Sequence, residues 1–484
     1  MKSAEHSGQR QAGPSPGSQT AAHEKLTLQE IFAALFGLFL GFALLKSGNP
    51  VILDDKVTPP ASIGDAWSDP WPPHWAFWLL LPLAVMGGVL ALTKKRKWPA
   101  ARSLWVLPVI WLGWQFLSAT RTVDARLTAL TLPLFCGCVA GYFMGTFVIG
   151  SARGLRLLLA GALGGLLICL LTAYWQWTEL PIVRQQLIQA ESNGWTNVTA
   201  EVMKEWRRDQ FIIFTNGVEI ANPIVLQKLA KRRVYGTQVY PNALAAAVLL
   251  LMPAATVFAF KDTRRLRSPI RVAAIALTLF FGIGGLYVTG SKSGWLIGVA
   301  LGGLWLFRLK WPARLKTALI VLLAAVSLTA FGFRFRGYFM SGATSVGARF
   351  DYWRGALKTT AELPLFGSGP GTFQRAYARF KLPESEMARL AHNDYLEQFT
   401  DSGIPGGISY LGWIVSFLVI TGLRVWRSTD ALAFAVYLGL LGWFMQGLSE
   451  FSLYIPALSW TTFTLAGCLL KLTGNQFDKA PVTR

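Results

Sequence analysis

Twelve long apolar runs divide this chain, near residues 28–46, 75–93, 103–119, 127–149, 156–178, 240–260, 272–289, 293–308, 317–333, 405–423, 431–448 and 455–473. A hydrocarbon core of about 30 Å is crossed by roughly 20 helical residues, and only a helix satisfies the backbone N–H and C=O groups of such a run from within. The sequence therefore predicts an all-α, polytopic membrane protein of about twelve transmembrane helices. Hydrophobic residues are 53% of the chain and charged residues 15%, a mixture that a soluble fold of this size could hardly keep in solution. Only Gly290, Ser291 and Lys292 separate the seventh and eighth runs, so a tight helical hairpin is expected there.

The net charge of +21 would suit a nucleic-acid partner if it lay on one face, but the basic residues fall in short clusters between apolar runs. The loops at 93–102, 150–156, 261–271, 308–316 and 424–430 hold eighteen of them against Asp262 and Asp430. By the positive-inside rule these loops and both termini face the cytoplasm. Residues 1–25, rich in Ser, Gly, Pro and Ala, read as a disordered cytoplasmic tail, 26–476 as the membrane domain and 477–484 as a second tail. No small-x-small cleavage site follows the first run, which is expected to stay as a span. The outer segments are then about 47–74, 179–239 and 334–404. The last two mix Tyr, Trp, Leu, Gly and Pro with balanced charge, a composition of folded structure rather than linker.

Cys136, Cys138, Cys169 and Cys468 all lie inside apolar runs, and the first two are too close for a structural bridge, so reduced packing residues are expected. His6, His23, His74 and His392 are too few for a multi-histidine metal site, and no paired carboxylates are set out as one. Chemistry without metal or cofactor is expected.

The stretch AHNDYLEQFTDSGIPGG, residues 391–407, carries the most chemistry. Asn393 to Ser402 have helix-forming spacing, Gly403 suits a stop, and Pro405 suits the first turn of the tenth span. His392 then stands at the entrance of a short helix beside the membrane, as a proton acceptor or as a plain helix-end residue. In RRVYGTQVYPNALA, residues 232–245, Arg233 falls at headgroup level, where a guanidinium either grips phosphate bidentately or snorkels as an anchor. In VTGSKSGWL, residues 288–296, Lys292 tops the hairpin beside Ser291, Ser293 and the free N–H groups of the eighth helix. That is an anion site or, again, a snorkelling lysine. Residues 348–373 carry an amphipathic stripe of Phe350, Trp353 and Leu357, then GSGPG. No strand-to-helix unit of nucleotide-binding type surrounds those glycines, so they read as a structural loop that positions Arg349 and His392.

In order along the chain, these segments resemble the O-antigen ligase family and its polymerase relatives. The pattern His-(Asn/Ser/Gln)-x9-Gly-x2-(Gly/Thr/Tyr) is met by His392, Asn393, Gly403 and Gly406. R-x-x-G…P-N-x-L-A is met by Arg233, Gly236, Pro241, Asn242, Leu244 and Ala245, and R…W…P-L-x-G-x-G by Arg349, Trp353, Pro364, Leu365, Gly367 and Gly369. The motifs run from about residue 231 to 410. Where the family usually has Ser-Arg-Gly, this chain has Ser291, Lys292 and Ser293, which keeps the charge and loses the planar fork.

The resemblance implies a GT-C-like membrane glycosyltransferase of the bacterial inner membrane, with no metal, no cofactor and no nucleic-acid partner. Its donor would be a glycan on undecaprenyl diphosphate, presented from the outer leaflet among the membrane lipids. Arg233 and Lys292 would hold the diphosphate leaving group and His392 would activate an acceptor hydroxyl, with Arg349, Asn242 and Asn393 binding substrate. The acceptor would be lipid A-core for a ligase, a lipid-linked glycan for a polymerase, or a protein hydroxyl for an O-oligosaccharyltransferase. A secondary transporter is the competing class. It should show internal repeats and charged or broken helices at the midplane, whereas here the outer loops are unequal and the ionisable residues crowd the outer border.

Overall fold

The structure is a computed structural model that describes residues 25–93, 98, 101–340 and 344–477. Twelve helices lie where the apolar runs are: α1 Leu28–Lys46, α2 Pro73–Leu92, α3 Ser103–Ala119, α4 Ala125–Ile149, α5 Ala152–Ser192, α6 Pro241–Lys261, α7 Ser268–Thr289, α8 Lys292–Arg308, α9 Ala313–Met340, α10 Asp394–Arg427, α11 Ala431–Gln446 and α12 Pro456–Phe477. Among the described residues, eight helices are long and apolar enough to cross a membrane by length and composition. The chain is an all-α polytopic membrane protein whose strands form one short hairpin. The 1–25 tail, the Lys94–Lys97 cluster and the C-terminal tail fall outside the described residues, apart from Lys25 and Phe477.

The helix ends follow local chemistry. Thr27 and Glu30 close a capping box on α1, and Asp124 caps α4 through the N–H groups of Arg126 and Leu127. Ser291 caps α8 by accepting from Gly294 N, and Gly290 takes the left-handed turn (φ 56°) that the three-residue hairpin requires. Between α1 and α5, Gly37 and Gly41 face Gly161 and Gly165 so closely that a Cβ at any of the four would run into backbone. In lipid, where apolar burial does not drive association, such small-residue seams let backbones pack. Cys138, Cys169 and Cys468 are buried and unbridged, as packing residues.

The segments between odd and even helices meet at one end of the bundle. Val239 N donates to Gly48 O (3.0 Å), Val123 N to Ser368 O (2.9 Å) and Ala457 N to Ser47 O (3.4 Å). α5 runs on to Ser192, about 60 Å at 1.5 Å per residue, well past the run that ends near 178. Beyond that run it joins helices Ala200–Arg208 and Pro223–Ala230 and a hairpin in which Ile212 pairs with Ala221, around a small core of Leu187, Met203, Ile212 and Ala221. In the 334–404 segment, the helix Thr344–Glu362 buries Tyr352 and Ala356 against Phe373, Tyr377, Ala388 and Ala391. Of the expected stripe, Trp353 packs against this cluster while Phe350 and Leu357 are exposed, because the face that packs is chosen by the neighbouring layer rather than by apolarity alone.

Candidate active site

A buried carboxylate organises this end of the bundle. Glu450, in the turn between α11 and α12, is fully buried and has four partners. Its Oε1 accepts from Arg349 Nη2 (2.6 Å) and Asn242 Nδ2 (2.5 Å). Its Oε2 accepts from the Tyr240 hydroxyl (2.7 Å) and lies 3.4 Å from His392 Nδ1. Burial pushes the Glu450 carboxyl up, but the contacts with His392, Arg349 and Tyr240 outweigh it and hold the group below the ordinary carboxylate range. The turn is itself pinned: Asp394 N donates to Gly447 O (2.8 Å), and Leu453 N donates to the Asp394 carboxylate (3.2 Å).

His392 is held on three sides. Its backbone takes a left-handed conformation (φ 52°), costly for a side chain of this size and kept in place by its neighbours. Ala391 N donates to Glu397 Oε2 (2.9 Å) on one flank. On the other, Asn393 Oδ1 caps α10 by accepting from Tyr395 N and Leu396 N (3.0 Å each). The ring lies 5.9 Å from the Tyr352 ring and 4.7 Å, edge to face, from that of Phe451. With a carboxylate facing Nδ1, the neutral ring carries its proton there, and Nε2 is left with its lone pair for a substrate.

Beside this pair is a patch of cations. Arg233 donates from Nη2 to Asn242 Oδ1 (2.8 Å) and from Nε to Thr289 O (3.0 Å), which joins the loop before α6 to the top of the α7–α8 hairpin. Burial draws its guanidinium below the usual range despite Glu450, while the group still stays charged at any working pH. Lys292 opens α8 with Nζ 3.7 Å from the Tyr338 ring centroid. Arg233, Arg349, Lys231 and Arg334 all act on it as like charges. Such a concentration of positive charge beside one shared carboxylate is suited to an anionic ligand.

Most of the residues singled out by sequence converge. His392, Arg349, Asn242 and Arg233 are linked through Glu450 and Asn242, and Lys292 belongs to the same patch. Asn393 is different: it is 8% exposed, caps α10 with its oxygen and donates Nδ2 to Leu448 O (3.0 Å), so it positions His392 and the Glu450 turn. The break at Ser402 and Gly403 (φ 67°) stands where the stop is expected, inside one long helix. GSGPG docks on that break through Ser368 N to Thr400 O (2.9 Å), Gly369 N to Asp401 O (2.8 Å) and Gly371 N to Asp401 Oδ2 (2.6 Å). Sequence reasoning missed Glu450, Tyr240, Arg334 and Lys231. A lone acid in the short apolar turn GLSEFSLYIP was the available signal, since an ionisable residue near lipid needs a partner.

Comparison with known proteins adds two findings. Residues 277–411 match the family model described as O-antigen ligase, a segment that runs from α7 into α10 and carries Lys292, Arg349, His392 and Asn393. Over that segment the resemblance to the O-antigen ligase family holds, while Arg233, Asn242 and Glu450 lie outside it. A Haemophilus influenzae protein (strain ATCC 51907 / DSM 11121 / KW20 / Rd), described as an uncharacterized protein, is 34% identical over 74 residues, 14% of this chain. The match spans 18% of that relative's length, less than a fifth of it.

Proposed function

We propose that this chain transfers a glycan from an undecaprenyl-diphosphate donor to an acceptor hydroxyl in surface-polysaccharide biosynthesis, on the outer face of the bacterial inner membrane with both termini in the cytoplasm. The observation that carries the reading is the His392–Glu450 pair set beside Arg233, Lys292 and Arg349 at one membrane border. His392 Nε2 takes the proton of the acceptor hydroxyl as that oxygen bonds to the anomeric carbon, and Glu450 stabilises the imidazolium that forms. The bond from the anomeric carbon to the diphosphate breaks, and the leaving group departs with the electron pair. Arg233 and Lys292 offset its charge, and preorganised cations in a dry site do so without solvent reorganisation. Arg349, tied to Glu450, places the carboxylate and borders the phosphates, Asn242 holds Arg233 and Glu450 in register, and Asn393 positions His392.

The membrane side supports a lipid-borne donor. A cavity of about 360 Å³ lies between α6, α7 and α8, lined by Met252, Ile283, Leu286, Trp295 and Gly298 among others. Its lining reaches Trp295, one turn from Lys292, and Gly282 and Ile283 of the π-helical segment Phe280–Gly284 of α7, and it is apolar enough for a polyprenyl tail.

The acceptor class is decided by product. Purified protein in liposomes with lipid-linked glycan should be offered lipid A-core, further lipid-linked glycan, and a peptide bearing Ser and Thr. Transfer to the first marks a ligase, to the second a polymerase and to the third a protein O-oligosaccharyltransferase. Donor consumption should fall about 10²–10⁴-fold in His392→Ala. Full activity in that variant, or accumulation of intact donor across the membrane without transfer, would refute the proposal, the latter in favour of a transporter.

A further inference from the structure

We infer that the end of the bundle opposite Glu450 carries a binding pocket for the phosphate headgroup of an anionic membrane lipid. The ends of α8 and α10 and the starts of α9 and α11 frame a cavity of about 760 Å³, lined by Arg308, Lys310, Lys316 and Arg427 together with Trp426 and Phe434. α8 starts at Lys292 and ends at Arg308, a rise of about 24 Å, so the cavity sits at the other membrane border from the His392 site.

Basic residues are expected at such a border, and what sets these four apart is that they line one cavity together. On the same face Arg156 pairs with Asp262 (2.6 Å) and Arg153 with Glu30 (3.6 Å). Among the described residues, the four cations of the cavity form no ion pair. Asp430, which acts on Arg308 electrostatically, has its carboxylate engaged in capping α11 through Leu432 N (2.9 Å) and Ala433 N (3.2 Å). Arg308 lies with its guanidinium 4.1 Å from the Phe434 ring centroid and donates Nη2 to Ser428 O. Its Nη1 is buried and has no partner among the described residues. A buried guanidinium donor without an acceptor is costly, and an anion in the cavity relieves the cost.

The rim favours a lipid as the source of that anion. Phe307 and Trp426, with ring centroids 5.9 Å apart, are 56% and 46% exposed beside the cations. Aromatic rings at this depth lie among headgroups and upper acyl chains, and basic pockets between helix ends hold phosphate headgroups. A soluble phosphate compound shares the headgroup chemistry and lacks the acyl chains these rings would meet.

The test is native mass spectrometry of the full chain in mild detergent, titrated with phosphatidylglycerol, with cardiolipin, with phosphatidylcholine and, separately, with inorganic phosphate. The anionic lipids should be retained in preference to phosphatidylcholine. Lys310→Gln with Arg427→Gln, both exposed positions, should weaken that retention about thirtyfold, as expected for two cations at an anionic surface. Arg308→Gln gives a second variant, accepted only if its Tm stays within a few degrees of the parent. Equal retention of phosphatidylcholine, or unchanged affinity in the folded double variant, would overturn the pocket. Displacement of the lipid by millimolar inorganic phosphate would overturn the lipid assignment and give the pocket to a soluble phosphate compound. Glycan transfer is not the readout, so failure here is distinguishable from failure of the catalytic proposal.

Discussion

Glu450→Gln isolates the charge that the structure sets behind His392. The variant keeps the shape of the side chain and one oxygen acceptor, and it removes the negative charge 3.4 Å from Nδ1. With an effective dielectric constant of about 20, a unit charge at that distance stabilises imidazolium by at most about 5 kcal/mol. The ring is 29% exposed, so solvent takes part of this, and the expected loss in the chemical step is about 10²–10³-fold. Donor affinity should change far less, because the diphosphate cations remain. The assay is single-turnover transfer and donor binding in nanodiscs, with Tm measured in parallel. That control matters because Arg349 then loses a buried ionic partner, a change that costs about 3–5 kcal/mol when nothing replaces it. Glu450→Ala would confound the two effects. A folded Glu450→Gln protein that transfers at nearly the parent rate would remove Glu450 from the mechanism and leave His392 to act alone.

Four further outcomes follow from the same geometry. Arg233→Ala should weaken donor binding and turnover together, and Arg233→Lys should rescue only in part because the fork that reaches Asn242 and Thr289 is lost, which donor titration and single-turnover rates will separate. Lys292→Arg should keep or raise activity, since a guanidinium can also lie on the Tyr338 ring and adds a planar grip on phosphate. Acid should destabilise the parent more than Glu450→Gln: a carboxyl held below its ordinary 4.5 contributes stability above that pH and loses it as pH falls through the lower native value, so the Tm difference should shrink below about pH 4.5. Gly161→Leu should cost about 3 kcal/mol or more by forcing apart α1 and α5, read as a lower Tm and poor recovery of monodisperse protein, while Gly164→Leu, with open space around it, should be tolerated.

Much of this protein was determined locally. The all-α polytopic class and the positions of the long apolar helices follow from run length against bilayer thickness, a constraint each segment meets by itself. So do the α7–α8 hairpin, with Gly290 at its turn and Ser291 as its cap, and the break at Gly403, because glycine conformation and side-chain capping act within a few residues. The motif residues His392, Arg233 and Arg349 were also legible, the first two with a bland alternative that no local pattern could remove. Only the tertiary structure shows that they share partners, through Glu450 and Asn242. Glu450 is 58 residues from His392, 208 from Asn242 and 101 from Arg349, and no periodicity connects such positions. The exposed faces of Phe350 and Leu357 and the glycine seam of α1 with α5 belong to the same category. Hydrophobicity selects a helix's solvent but not its neighbour; in a bilayer the neighbour is chosen by shape and by buried polar groups that must find one another, and both exist only once the bundle has closed.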